Sequence, residues 1–210
     1  MRGSDRSEKN GTYRMKRLFD IVLSSIMLIM LSPFLVLIAF SIAIGSRGGV
    51  LFHQTRVGMN GREFNLLKFR SMRPGSEKAG QITVGERDPR ITSIGHFLRR
   101  TKLDELPQLL NILMGDMSIV GPRPEVPKYV ALYSADQRRV LDVRPGLTSL
   151  ASIAYINENE MLGRSNDPER TYVEEVMPAK LALDLQYVDR RSFLFDLKII
   201  LRTLARLTGS

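Results

Sequence analysis

Two adjacent carboxylates, Asp104 and Glu105, stand among cations in the stretch LRRTKLDELPQLLNILMGDMSIVGPRPE, residues 98–125. Pro107 follows directly after Leu106, and proline is tolerated only in the first turn of a helix, so both carboxylates fall at a helix N-terminus. The dipole and free N–H groups there keep a carboxylate ionised and attract phosphate. Two readings are open. In one, Asp104 is an N-cap, Glu105 a favourable first-turn charge, and Arg99, Arg100 and Lys102 are their surface partners. In the other, the pair binds magnesium around a diphosphate or attacks phosphorus itself. In GPRP, residues 121–124, flanking prolines hold Arg123. A fixed guanidinium suits bidentate recognition of phosphate, although a plain rigid turn is the commoner meaning of such a string. Arg144-Pro145-Gly146 reads as a phosphate contact or as a turn after a helix. Lys68 and Arg70 alternate with Leu67 and Phe69, as on the exposed face of a strand. The chain has no Walker-type or dinucleotide-binding glycine pattern, so a phosphate site here is built from cations and helix ends.

Composition removes other chemistries. With no cysteine in 210 residues, disulfides, thiolate metal sites and cysteine nucleophiles are excluded. His53 and His96 are the only histidines, too few to supply a histidine zinc site or a serine triad. The 31 basic against 22 acidic side chains suit anionic lipid headgroups, phosphorylated substrates or nucleic acid. These charges are dispersed among acids and prolines with no nucleic-acid motif, so lipid is the expected surface and nucleic acid is not an expected partner.

The elements that position these residues begin with an apolar run. Residues 21–44 carry no charge, and a helix of that length covers about 36 Å against the roughly 30 Å hydrocarbon core. Ser32-Pro33 in its middle predicts a break, where Ser32 helps to satisfy freed backbone groups. Arg14, Lys16 and Arg17 lie ahead of the run and Arg47, Arg56 and Arg62 behind it. Two basic flanks favour both ends on the cytoplasmic side, which a re-entrant hairpin achieves; the alternatives are an ordinary kinked transmembrane helix or a signal anchor. The chain divides into a flexible or added leader over 1–14, a membrane anchor over 15–46, and one domain over 47–210, which at roughly 160 residues has a core of its own.

Around Gly58 and Asn60-Gly61, residues 48–72 read as a two-stranded hairpin. Residues 73–90 read as a surface loop able to order on substrate, and Ile94–Leu113 as helical with Leu106, Leu109, Leu110 and Leu113 on one face. Ser134 with Gln137 predicts a capping box, Asp167-Pro168 opens a helix, and Pro178 restarts one to about Val188. In SFLFDLKIILRTLARL, Lys198, Arg202 and Arg206 recur four apart, giving a basic amphipathic helix that lies in a membrane interface or packs on the core. The fold class is mainly α with a small β-hairpin, an N-terminal re-entrant membrane helix broken at Ser32-Pro33, and interfacial amphipathic helices.

KRLFDI, the apolar segment with Ser32-Pro33, KFRSM, LRRTKLDELPQLLNILMGDMSIVGPRP, VRPGLT, LDLQYV and FLFDLKII together closely resemble the bacterial sugar transferase family. These are the monotopic polyprenol-phosphate phosphoglycosyl transferases, and the likeness covers nearly all of residues 15–205. It implies an enzyme that moves a sugar 1-phosphate from a UDP-sugar to a polyprenol phosphate such as undecaprenyl phosphate, releasing UMP, with Mg²⁺ assisting. Such an enzyme initiates exopolysaccharide, O-antigen, capsule or glycoprotein glycan assembly. By the same resemblance Asp104 is the nucleophile that forms an aspartyl-phosphosugar intermediate, Glu105 its partner near the metal, and Arg99, Arg123 and Lys68 hold phosphate. Asp184 matches a further active-site position and Arg144 is another candidate. The resemblance also implies a bacterial inner-membrane protein with its site on the cytoplasmic face, in contact with membrane lipid, and it is compatible with a homodimer. One departure stands out: where many relatives follow the Pro-Gly-Leu/Ile-Thr turn with Gly-Trp-Ala-Gln, this chain has SLASIAYINENEMLGR, so a relative's sugar does not carry over.

Overall fold

A computed structural model describes the backbone over residues 3–45, 48–76 and 88–209, with side chains from Arg14 onward. Most of the loop expected over 73–90, residues 77–87, lies outside the described residues.

Helix α1 spans Gly3–Gly45, 43 residues, so helix also covers the backbone of the segment expected as a leader. Extending a formed helix costs little beside nucleating one. The expected break at Ser32-Pro33 is not an interruption, because α1 runs continuously through both residues. Pro33 leaves the Ile29 carbonyl without its usual donor, and the Ser32 hydroxyl donates to that same oxygen at 2.8 Å. The stretch Arg14–Gly45 is long and apolar enough to cross a membrane, and Ile29, Met30, Val36, Leu37 and Phe40 around the proline are exposed.

Either side of Pro33, α1 packs on the rest of the chain. Phe19, Leu23, Met27 and Leu28 join a cluster built on Leu109, Ile112, Val120 and Tyr187. Leu35, Ile38, Ala39 and Ile42 join another with Phe69 and Leu98. Polar contacts fix the near end. Lys16 donates to the Val120 carbonyl at 3.0 Å and pairs with Asp196, while Asp20 accepts from the Ile119 N–H at 3.1 Å. Arg17 donates to the carbonyls of Ile112 at 2.6 Å and Leu113 at 3.0 Å.

Strands β1 (Leu51–Val57) and β2 (Glu63–Phe69) form the expected antiparallel hairpin, in register from Leu51 opposite Phe69 to Val57 opposite Glu63. The turn uses Asn60 and Gly61 at positive φ, the conformation their residue types favour. The expected helical run after Ile94 is two helices. Helix α2 (Ser93–Arg100) is capped by Thr92, and α3 (Gln108–Met114) follows a 3₁₀ turn, Leu103–Glu105. Lys102, in the left-handed region at φ 58°, separates them at a cost of about 1–2 kcal/mol for a non-glycine residue. The single leucine face divides accordingly: Leu109 is buried and Leu110 exposed.

Strand β3 (Ser118–Val120) pairs in parallel with β4 (Gly146–Thr148). Side by side, GPRP and RPG approach so closely that a Cβ on Gly121 would meet the Arg144 carbonyl oxygen at 2.4 Å, and one on Gly146 the Gly121 nitrogen at 2.1 Å. Only glycine fits there.

Short helices α4 (Pro127–Val130), α5 (Leu150–Ala154) and α6 (Glu158–Gly163) surround a core of Tyr129, Val140, Leu162, Tyr172 and Leu181. Ser134 and Gln137 exchange their capping-box bonds, but ahead of a 3₁₀ turn rather than an α-helix. Asp167 caps α7 (Pro168–Thr171) as expected. A π turn, Tyr172–Val176, carries it straight into α8 (Met177–Arg190), so Pro178 lies in the first turn of α8, within an unbroken helical path. In α9 (Phe193–Leu207), Asp196 and Ile199 are buried while Leu194, Leu197, Leu201, Leu204 and Leu207 are exposed.

Because both halves of α1 rest on the same domain, single cysteines replacing Arg14 and Gly49 in this cysteine-free chain are expected to react with an impermeant maleimide from the same side of sealed vesicles. Labelling from opposite sides would contradict that arrangement.

Candidate active site

The turn between α2 and α3 carries the dyad. Left-handed Lys102 swings the chain so that Leu103–Glu105 forms its own 3₁₀ turn ahead of Pro107, and neither carboxylate caps α3 through its side chain. That answers the simple reading of Asp104 as an N-cap. Glu105 accepts from Lys68 of β2 at 3.0 Å and is gripped by both Arg123 nitrogens, at 2.5 and 3.3 Å. Its partners are thus Lys68 and Arg123 rather than the surface cations before it. Lys68 and Arg123 are partly buried, and the bidentate fork leaves Arg123 little freedom.

Electrostatics separates two neighbouring acids. Burial opposes ionisation of Glu105, yet the charges of Arg123 and Lys68 and the Arg123 hydrogen bond outweigh it and hold the carboxyl well below the usual range. Asp104, only 6% exposed, shifts upward: burial raises it and the Glu105 charge adds to that, against the pull of Lys68, Arg99 and Lys102. Among the described residues none donates a hydrogen bond to the Asp104 carboxylate. Lys68 is itself pushed down by burial, opposed by Glu105.

Asp104, Glu105, Lys68, Arg99, Lys102 and Arg123 all line one cleft of about 1380 Å³. The structure therefore brings together five of the residues singled out as dyad or phosphate ligands. Asp184 sits behind them, 3% exposed, accepting from the Arg123 backbone N–H at 3.4 Å while its other oxygen is buried with no partner among the described residues. Burial pushes its carboxyl up to about 7. Arg144 is not part of the cleft wall; it donates to the Gly115 carbonyl at 2.7 Å, closing the loop after α3.

Several cleft residues escaped sequence reasoning. Arg56 bonds Glu125 at 2.9 Å and Gln54 at 2.8 Å, and Glu125 also accepts from the Tyr172 hydroxyl. Lys180 pairs with Glu158 at 2.7 Å. These partners lie up to 69 residues apart in the chain, with no motif to join them.

Among the described residues no group of three or more potential ligands forms a metal cage. The donor set nonetheless fits Mg²⁺ as this ion binds with phosphates, through one or two carboxylates plus substrate oxygens. Asp104, buried without a hydrogen-bond donor, would be the protein ligand; Glu105 stands beside it already claimed by two cations.

With a cation-ringed carboxylate dyad at the head of a domain that carries a long apolar helix, comparison with known proteins defines the class. The chain belongs to the bacterial sugar transferase family, whose pattern it matches over residues 11–210. It is similar to the UDP-glucose:undecaprenyl-phosphate glucose-1-phosphate transferase of Escherichia coli K12, 38% identical over 196 residues, which cover 90% of this chain and 39% of the relative. The exopolysaccharide production protein PSS of Rhizobium leguminosarum bv. phaseoli is 40% identical over 204 residues, 90% of this chain and 92% of the relative. The galactosyl transferase CpsE of Streptococcus agalactiae is 42% identical over 168 residues, 75% of this chain and 34% of the relative. The chain thus spans well under half the length of the first and last of these.

Asp184 makes the fold sensitive to pH. With a folded value of about 7 against an ordinary 3.8, its contribution to stability is fully present below 3.8 and is lost as pH rises to about 7. Asp184→Asn is expected to lose less Tm than the unaltered protein between about pH 5 and pH 8. Equal losses in a thermal-shift series would contradict this.

Proposed function

We propose that this chain transfers a sugar 1-phosphate from a UDP-sugar to a polyprenol phosphate at the cytoplasmic face of the bacterial inner membrane. The observation that carries the reading is Asp104: a buried carboxylate of raised basicity, without a hydrogen-bond donor among the described residues, facing a cleft ringed by Lys68, Arg99, Lys102 and Arg123. A carboxylate left unpaired among cations suits a nucleophile toward phosphorus, because the cations attract the phosphate groups and stabilise the charge that develops on them. Family membership and the names of the relatives support the same reaction.

In the first displacement an Asp104 oxygen attacks the phosphorus that bears the sugar. A P–O bond to Asp104 forms as the diphosphate P–O bond breaks, and UMP leaves with that bridging oxygen. In the second, an oxygen of the polyprenol phosphate attacks the same phosphorus and Asp104 departs as a carboxylate. Covalent catalysis thereby divides one displacement into two. Arg99 and Lys102 line the cleft beside Asp104, which supports a role in meeting the donor's phosphates. Arg123, together with Lys68, holds Glu105 ionised, and that negative neighbour raises the basicity of Asp104, while the Lys68 charge itself lowers it. When bound, Mg²⁺ supplies charge neutralisation on the phosphoryl oxygens.

The membrane attachment follows from α1. Its two halves brace one domain on the two sides of Pro33, and the residues around the proline are apolar and exposed. These contacts support a re-entrant segment that bends at Pro33 within a continuous helix and returns to the face from which it came. The exposed leucines of α9 beside Lys198, Arg202 and Arg206 support an interfacial helix at the same surface. Anchoring the site there holds it beside an acceptor that stays in the bilayer, converting a search in three dimensions into a local encounter.

Asp104→Asn is expected to cut UMP release from a panel of UDP-sugars, with undecaprenyl phosphate and Mg²⁺, by on the order of a thousandfold or more, with membrane extraction and Tm unchanged. Undiminished release would remove Asp104 from the reaction. The nucleophile acts deprotonated, so rate falls as pH drops through its raised value, and the acid limb lies above the ordinary 3.8. Lys68→Met removes a charge that lowers Asp104 and is expected to move that limb further up. A downward move would contradict the assignment.

A further inference from the structure

The cleft continues past Asp104. Its volume of about 1380 Å³ exceeds the roughly 300–1,000 Å³ of ordinary small-ligand pockets, so it has room beyond one donor molecule. Its wall also combines two kinds of residue. Lys68, Arg99 and Arg123 supply cations; Leu23 and Met27 of α1 and Ile200, Leu204 and Leu207 of α9 supply apolar surface. Two polar residues of α9 share this wall: the Thr203 hydroxyl is paired with Thr148 at 2.6 Å and with the Ile199 carbonyl at 2.9 Å, so it calls for no polar ligand, and Arg206 is exposed.

The two helices that supply this apolar wall are also those whose outer faces are apolar and exposed. Ile26, Ile29 and Met30 of α1 and Leu194, Leu197 and Leu201 of α9 all lie open. One cleft therefore joins a cation-ringed carboxylate to the lipid-compatible surface. A nucleotide sugar offers a heterocycle and hydroxylated rings but no long apolar chain to lay along leucine and methionine. A phosphate carried on an isoprenoid chain matches both the cations and the apolar residues.

Resting on the polyprenol-phosphate reading above, we infer that the acceptor's isoprenoid chain lies between α1 and α9, along Leu23, Met27, Ile200 and Leu204, with its phosphate directed toward Asp104. The membrane helix and α9 are then two walls of the acceptor site as well as attachments to the bilayer.

The test uses the full chain in nanodiscs and a polyprenyl phosphate with a diazirine on its first isoprene units. Photolabelling is expected on peptides that contain residues 23–27 and 200–207, competed by unlabelled polyprenyl phosphate. Leu204→Asp, at a position 55% exposed, is expected to reduce that labelling and to raise the acceptor KM about tenfold, since a charge in an apolar path is unfavourable. Leu194→Asp is the control for general membrane contact: on the same helix, 77% exposed and outside the cleft wall, it is expected to change neither. Stoichiometric UMP release from donor alone, unchanged in both variants, reports an intact fold and donor site.

Labelling elsewhere in the chain would overturn the inference, as would equal losses in the two variants, which would reduce the effect to membrane contact. Labelling between α1 and α9 without UMP release by the unaltered protein would uphold the lipid path while counting against the transfer reaction.

Discussion

Glu105 is the ion on which the site is assembled. Its carboxylate joins Lys68 on β2 to Arg123 beyond β3, so one side chain ties the hairpin, the turn after α2 and the GPRP segment together. Removing either cation would leave a buried charge short of a partner, and breaking such a pair costs about 3–5 kcal/mol. The same pairing makes the two acids unequal. With Lys68 and Arg123 engaged by Glu105, Asp104 keeps a buried carboxylate with no hydrogen bond from the described residues, and sits next to a fixed negative charge. In the proposed reaction, structural and chemical roles are then divided between adjacent residues by which of them the cations grasp.

Membrane attachment and site geometry share a scaffold. The half of α1 before Pro33 grips the end of α3 through Arg17 and the edge of β3 through Lys16 and Asp20. The half after it packs Ile38 and Ile42 against Leu98 of α2. Since α2 and α3 flank the dyad's turn, the two halves of α1 brace both sides of Asp104 and Glu105. A cation at the last carbonyls of α3 is also favoured by the helix dipole, so Arg17 combines attachment with helix termination.

Local signals in the sequence were legible where the chemistry was local. Asn60-Gly61 announced the hairpin turn, Asp167-Pro168 its helix start, and the Asp104-Glu105-Pro107 spacing a carboxylate pair at the head of a helix. Positions set by distant partners were not. Lys102 carries no residue-type signal for a left-handed backbone, so one helical period was read across what are two helices. The β3–β4 pairing rests on Gly121 and Gly146 fitting together across 25 positions, and each alone reads as an ordinary turn glycine. Arg144 shows the opposite case: its neighbours suggested phosphate, whereas a backbone carbonyl at Gly115 claims its guanidinium. Ser134 and Gln137 made their predicted bonds without specifying the helix type that follows.

Pro33 and Ser32 illustrate how one residue acquires meaning from the next. The hydroxyl bonds to the carbonyl that the proline deprives of a donor, in a part of α1 whose side chains are exposed and apolar. With an ordinary residue at position 33, its own N–H would serve Ile29 and the serine would be dispensable; with proline there, serine offsets a polar group left open where water is scarce. The two positions are therefore coupled in energy as well as in space: introducing the proline before the serine leads through a less stable chain, whereas introducing the serine first is nearly level, and reversal runs in the opposite order.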